Sequence, residues 1–140
     1  MSDLAAARQG YVELIAKRER ISSKRLLRAL GKVPRENFLP KGPWRIKSEA
    51  GRTYRLTRDA DPVRLYDDVL VAIDARRRLD TGLPSLWAHL IDVLDIGEKE
   101  RVVQIGCGLG YFSAVLSKVA VGKLAVSRKS LPRRCLSRSA

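Results

Sequence analysis

Residues 102–111 read VVQIGCGLGY, and this stretch decides the fold. The hydrophobic stretch at 101–105 (RVVQI) predicts a short strand. Gly106, Gly108 and Gly110 follow at once. Residues 111–120 then place Phe112, Val115, Leu116 and Val119 at helical spacing, and 123–126 predict a further strand. Strand, glycine loop, helix and strand form the opening unit of a doubly wound α/β sheet. Ligands of nucleotide type sit at such a turn, where the backbone must bend tightly and approach the ligand closely. The dinucleotide pattern is GxGxxG. Here the third glycine comes one residue early, and Tyr111 stands where that pattern needs glycine.

Working outward, residues 84–95 predict a helix opened by Pro84, with Leu86, Leu90 and Leu94 as its apolar stripe and Trp87 and Ile91 beside it. Residues 69–73 (VLVAI) predict a buried strand, followed by the basic run Arg76, Arg77 and Arg78, read as a solvated face. Trp44 and Ile46, then Tyr54 and Leu56, alternate with polar residues around Gly51 and suggest a hairpin. Residues 3–18 suit an amphipathic helix through Leu4, Tyr11, Leu14 and Ile15. A second helix is expected over 23–30, with Ser22 as N-cap and Ile21 and Leu26 as a hydrophobic staple. Leu26, Leu27 and Leu30 would be its buried face, and Gly31 would close it.

The chain has 140 residues, two cysteines and one histidine. Cys107 and Cys135 form no CxxC pair, and with His89 alone beside them no metal site is expected. Cys107 reads as a small loop residue, since no His or Lys is locally placed to activate it. No apolar run reaches the ~18–20 residues of a membrane span, and residues 1–9 lack the apolar core of a secretory signal. The expectation is a soluble, cytoplasmic protein without a membrane partner. The formal net charge of +13 favours acidic partners. Arg128, Lys129, Arg133, Arg134 and Arg138 place much of it in residues 127–140, which hold no acid.

Three segments resemble the protein-L-isoaspartate O-methyltransferases. Residues 28–40 (RALGKVPRENFLP) are similar to that family's helix ending in a VPRE-x-F-x-P segment. Residues 66–68 resemble its Tyr-x-Asp segment. Residues 82–111 resemble its Pro-led substrate helix and its VLEIGTGSGY loop, and the GxGxG spacing looks like an S-adenosylmethionine loop. The resemblance implies transfer of a methyl group from S-adenosylmethionine to the α-carboxylate of isoaspartyl residues in damaged proteins, a repair reaction. It implies a cofactor site at Gln104, Gly106, Cys107, Gly108, Gly110 and Tyr111, and a substrate side at Gly82, Leu83, Pro84 and Ser85.

This sequence departs from the family at three places. The family's catalytic serine aligns with Gly82, so the catalytic residue stays unassigned, with Ser85 a candidate hydroxyl. Gln104 replaces an acid. Val126 is followed by Ser127 rather than by the carboxylate expected to hold the cofactor's ribose. The fold expected is therefore α/β: N-terminal helices, then the first part of a Rossmann-like sheet with its C-terminal half missing. Residues 1–80 would form a helical, substrate-side region, 81–126 the start of the cofactor domain, and 127–140 a basic disordered tail. Likeness and periodicity fade near Gly122, which suggests truncation or a shifted reading frame there. Two further readings stay open: a methyltransferase acting on RNA or a small molecule, and an inactive basic fragment that binds nucleic acid or a partner.

Overall fold

The structure is a computed structural model, and it describes residues 3–127. Four α-helices and six strands follow in order: α1 (Asp3–Glu19), α2 (Lys24–Lys32), β1 (Arg45–Ser48), β2 (Arg55–Leu56), β3 (Val69–Asp74), β4 (Leu79–Asp80), α3 (Pro84–Val93), β5 (Val102–Ile105), α4 (Tyr111–Val119) and β6 (Leu124–Ser127). Short 3-10 turns occupy Arg35–Phe38 and Pro62–Leu65.

The strands make two sheets. The first is antiparallel in the order β2-β1-β3-β4, with Ile46 opposite both Arg55 and Val71. The expected hairpin is β1–β2, turned where Gly51 N–H donates to the Ser48 carbonyl. Trp44 and Ile46 are buried, whereas Leu56 is exposed. β4 has two residues, too few for a periodic signal, and the arginine run forms the exposed β3–β4 turn. The second sheet pairs β5 and β6 in parallel, Val102 opposite Leu124 and Ile105 opposite Ser127, with α4 as the connecting helix. This α/β unit is the partial sheet that the glycine loop foretold.

Helix packing corrects two local expectations, both on α2, and shows which face of α3 is covered. The N-cap of α2 is Ser23, not Ser22: its hydroxyl accepts from Leu26 N–H at 3.2 Å, so Ile21 and Leu26 do not stand at N′ and N4, although both are buried in one core. Ser22 instead contributes its N–H and hydroxyl to Asp92 of α3. Gly31 does not close α2, which runs on to Lys32 before Val33 leaves it in extended backbone. On α3 the Leu86, Leu90 and Leu94 stripe faces solvent, and the buried face is Pro84, Ser85, Ala88 and Ile91. Periodicity identified the helix but not the side that its neighbours cover. Val103 and Ile105 of β5 are exposed as well.

One core joins the helices across residue 80. Tyr11, Ile15, Leu26 and Leu30 pack with Ala88, Ile91, Val115 and Leu116. A smaller core under the antiparallel sheet holds Trp44, Ile46, Leu65, Val69 and Val71. Ser127, the first residue of the expected tail, lies in β6; residues 128–140 and Cys135 fall outside the described residues. Among the described residues no helix is long and apolar enough to cross a membrane, and no cluster of His, Cys, Asp or Glu could hold a metal.

Candidate active site

The VPRE segment is a structural hub. Arg35 is 2% exposed. Its Nη1 donates to the Leu65 carbonyl at 2.7 Å and its Nη2 to the Val69 carbonyl at 2.7 Å, with a longer contact to Thr81 Oγ1 at 3.4 Å. One side chain thus ties the turn before β3, the start of β3 and the end of β4. No carboxylate among the described residues comes within ion-pair distance of this guanidinium, so carbonyl dipoles solvate a buried cation.

Glu36 and Tyr66 complete the hub. Arg8 bridges both, with Nη2 2.8 Å from Glu36 Oε1 and Nε donating to Tyr66 Oη at 2.9 Å. The Tyr66 hydroxyl donates to Glu36 Oε2 and accepts from Arg35 N–H. Burial, together with the Glu36 hydrogen bond, pushes the Tyr66 phenol up to about 12, so it remains a donor at all ordinary pH. Asp68 Oδ1 accepts from Ser85 N–H at 2.9 Å, while Arg18 Nη1 lies 3.2 Å from Oδ2 as an ion pair without hydrogen-bond alignment. The two segments singled out in the sequence, 35–36 and 66–68, therefore meet in space.

Between this hub and the glycine loop lies a cleft of about 240 Å³. The loop wall is Gln104, Gly106, Cys107, Gly108, Gly110 and Tyr111. The facing wall is Asp80, Thr81, Gly82 and Trp87, and Arg35, Phe38 and Phe112 also border the space. Gly106, Gly108 and Gly110 have φ of 76°, 55° and 95°, left-handed values that a side chain would strain. Gly110 is also the N-cap of α4. A Cβ on Gly106 would meet nothing within 4 Å, so the loop leaves its approach to the cleft clear.

Gln104 is buried, and its Oε1 accepts from Ser113 Oγ at 2.6 Å. Tyr111 packs edge-on against Phe38 and Phe112, and its hydroxyl lies 3.4 Å from that of Tyr11. Burial is the main cause that raises the pKa of both phenols.

The substrate-side residues divide. Gly82 lines the cleft; Leu83, Pro84 and Ser85 do not. Ser85 is 1% exposed, at the foot of α3 against Asp68. His89 is on an exposed part of α3, 3.7 Å from Glu19. Cleft residues given no site role by the sequence include Arg35 and Phe38 from the VPRE segment, Asp80, Thr81 and Trp87 flanking Gly82–Ser85, and Phe112 beside Tyr111.

A strand–glycine loop–helix unit opening on a small, partly open cleft is the arrangement at which α/β proteins hold nucleotide-type ligands. Comparison with known proteins narrows this. The family model for protein-L-isoaspartate (D-aspartate) O-methyltransferase matches residues 8–132, and the chain belongs to that family. The family is one of S-adenosylmethionine-dependent methyltransferases. A protein-L-isoaspartate O-methyltransferase of Parvibaculum lavamentivorans is 31% identical over 113 residues, covering 79% of this chain and 42% of that protein. The one from Bradyrhizobium sp. strain ORS 278 is 32% identical over 117 residues, 83% of this chain and 45% of its own length. The one from Roseiflexus sp. strain RS-1 is 26% identical over 136 residues, 96% and 53% respectively. The chain thus spans about half the length of the curated relatives it matches.

Proposed function

We propose that this chain supplies the cofactor loop and the acceptor wall of a protein-L-isoaspartate O-methyltransferase, with S-adenosylmethionine as methyl donor and isoaspartyl residues of damaged proteins as acceptors. The observation that carries this reading is the cleft itself. It sets the GxGxG loop against Thr81, Gly82 and Trp87, so one ligand can lie on the loop while a second meets it from the facing wall.

The residues fit the cofactor's methionine part. Backbone at Gly106, Gly108 and Gly110 would hold it, with Cys107, Gln104 and Tyr111 bordering. The cleft is below the ~300–1,000 Å³ that encloses a drug-sized ligand, so it suits a part of the cofactor rather than the whole. One lone pair of Gln104 Oε1 is used by Ser113, leaving the other to accept from an ammonium group. When bound, S-adenosylmethionine supplies a methyl group whose S–C bond breaks as a carboxylate oxygen forms the new O–C bond, leaving a neutral thioether and moving no proton. A carboxyl group with pKa near ~4 is already ionised at neutral pH. The protein therefore has to align the acceptor and exclude water rather than supply a base.

Calorimetric titration of the 140-residue chain with S-adenosylmethionine should give saturable one-to-one binding. Labelled methyl should then pass to an isoaspartyl peptide and not to its aspartyl isomer. Failure to bind the cofactor would sink the reading. Gly106→Ala should weaken cofactor binding about tenfold or more, because the left-handed backbone is strained by ~1–2 kcal/mol. An unchanged affinity would show that this loop does not hold the cofactor.

A further inference from the structure

We propose that the indole N–H of Trp87 is the hydrogen-bond donor that holds the carboxylate of the methyl acceptor. The proposal deepens the function proposed above and rests on it only for the identity of the carboxylate that enters.

The geometry at Gly82 carries the argument. Gly82 has φ of 75°, and a Cβ built there would stand 2.2 Å from Trp87 Nε1 and 2.8 Å from its Cδ1. The indole N–H therefore fills the space that a side chain at position 82 would need. The resemblance to the family implies a serine hydroxyl at that position. Here one donor has given way to another, delivered from the next turn of chain.

The donor is fixed and free. The Trp87 ring stacks on Phe112 with centroids 5.0 Å apart and planes 18° apart, and Phe112 is itself anchored in the core. A rigid aromatic ring holds its N–H in place at little further entropic cost, and indole nitrogen can only donate. Trp87 Nε1 has no hydrogen-bond partner among the described residues, and it is not sealed from solvent. Trp44 is the contrast, since its Nε1 donates to the Pro40 carbonyl at 2.7 Å.

The other polar groups on this wall are engaged. Asp80 Oδ1 accepts from Gly82 N–H, and Asp80 Oδ2 accepts from the Tyr54 hydroxyl. Thr81 Oγ1 accepts from Val71 N–H at 3.0 Å and lies 3.2 Å from the Gly82 carbonyl. The Arg35 guanidinium bordering the cleft has no carboxylate within ion-pair distance, so its charge favours an anion there and offsets that of Asp80. A carboxylate with one oxygen on Trp87 keeps its second oxygen free to accept the methyl group.

The two tryptophans give an internal control. In a 1H–15N spectrum of the full chain saturated with S-adenosylhomocysteine, the Trp87 indole resonance is assigned from the Trp87→Phe variant. An isoaspartyl peptide should move that resonance downfield and leave Trp44 in place. The same peptide with its α-carboxylate converted to a primary amide should produce a much smaller shift. Trp87→Phe keeps the stacked ring and loses the N–H. Its affinity for the carboxylate peptide should fall about tenfold to a hundredfold, the range expected of one hydrogen bond to a charged group; the amide peptide should bind both proteins alike.

An unmoved Trp87 resonance, an absence of peptide binding, or equal affinity of the two proteins for the carboxylate peptide would each overturn the proposal. Methyl transfer from S-adenosylmethionine is measured in parallel. A shifted Trp87 without transfer supports the carboxylate site and counts against the methyltransferase reading. Transfer with an unmoved Trp87 does the reverse.

Discussion

Arg35→Ala is expected to destabilise the chain by about 3 kcal/mol. The side chain is 2% exposed and donates to two carbonyls, Leu65 and Val69, each at 2.7 Å. Truncation leaves both acceptors without their donor, and a buried unsatisfied group costs roughly 1–3 kcal/mol. The lost stem also opens a void between the turn before β3 and the end of β4. Removal of the buried cation gives some of this back, because its solvation by carbonyls alone is costly. Arg35→Lys should recover little, since one ammonium cannot span two carbonyls as a planar fork does. Urea denaturation measures the difference directly as a change in midpoint at constant slope. A loss below about 1 kcal/mol would mean that water replaces the guanidinium without penalty. The same variant should also disorder the acceptor wall, because Arg35 contacts Thr81 beside Gly82.

That hub shows where a single sequence is legible and where it is not. The VPRE segment was visible as a family likeness, yet its physical role rests on partners 30 and 34 residues away along the chain. No local pattern encodes such a partner. The glycine loop was legible because its constraint is local: three left-handed residues between a strand and a helix. The β1–β2 hairpin was legible for the same reason. Ser22 and Ser23 are equally good caps by residue type, and the choice fell to Asp92 of α3, which accepts from the backbone of both. The leucine stripe of α3 was legible as a stripe, but periodicity defines a face and tertiary packing decides which face is covered; here the leucines stay exposed. At the site, Gly82 and Tyr111 were named from sequence and line the cleft. Trp87 was seen only as a helix residue, since its approach to Gly82 depends on the φ of 75° there and on the stack with Phe112.

The Gly82–Trp87 contact also predicts what happens when a serine is placed at position 82. Gly82→Ser alone should cost about 1.5–3.5 kcal/mol. Left-handed backbone strains a non-glycine residue by ~1–2 kcal/mol. The new Cβ, 2.2 Å from the indole nitrogen, must also push the ring off Phe112, and an aromatic pair contributes ~0.5–1.5 kcal/mol beyond its buried area. Restoring the hydroxyl in this way should therefore lower, not raise, acceptor binding, because it displaces the proposed donor. Trp87→Ala removes the obstacle, so in a denaturation cycle the double variant should be more stable than the sum of the two single losses by about 1 kcal/mol or more, as expected for residues in direct contact. Strict additivity would mean that the indole moves aside freely and that the two positions are independent. In the double variant the serine hydroxyl has the space to itself, and peptide binding should return above the level of Trp87→Ala alone. Recovery of that kind would show that the site requires a donor at this point in space and accepts it from either residue.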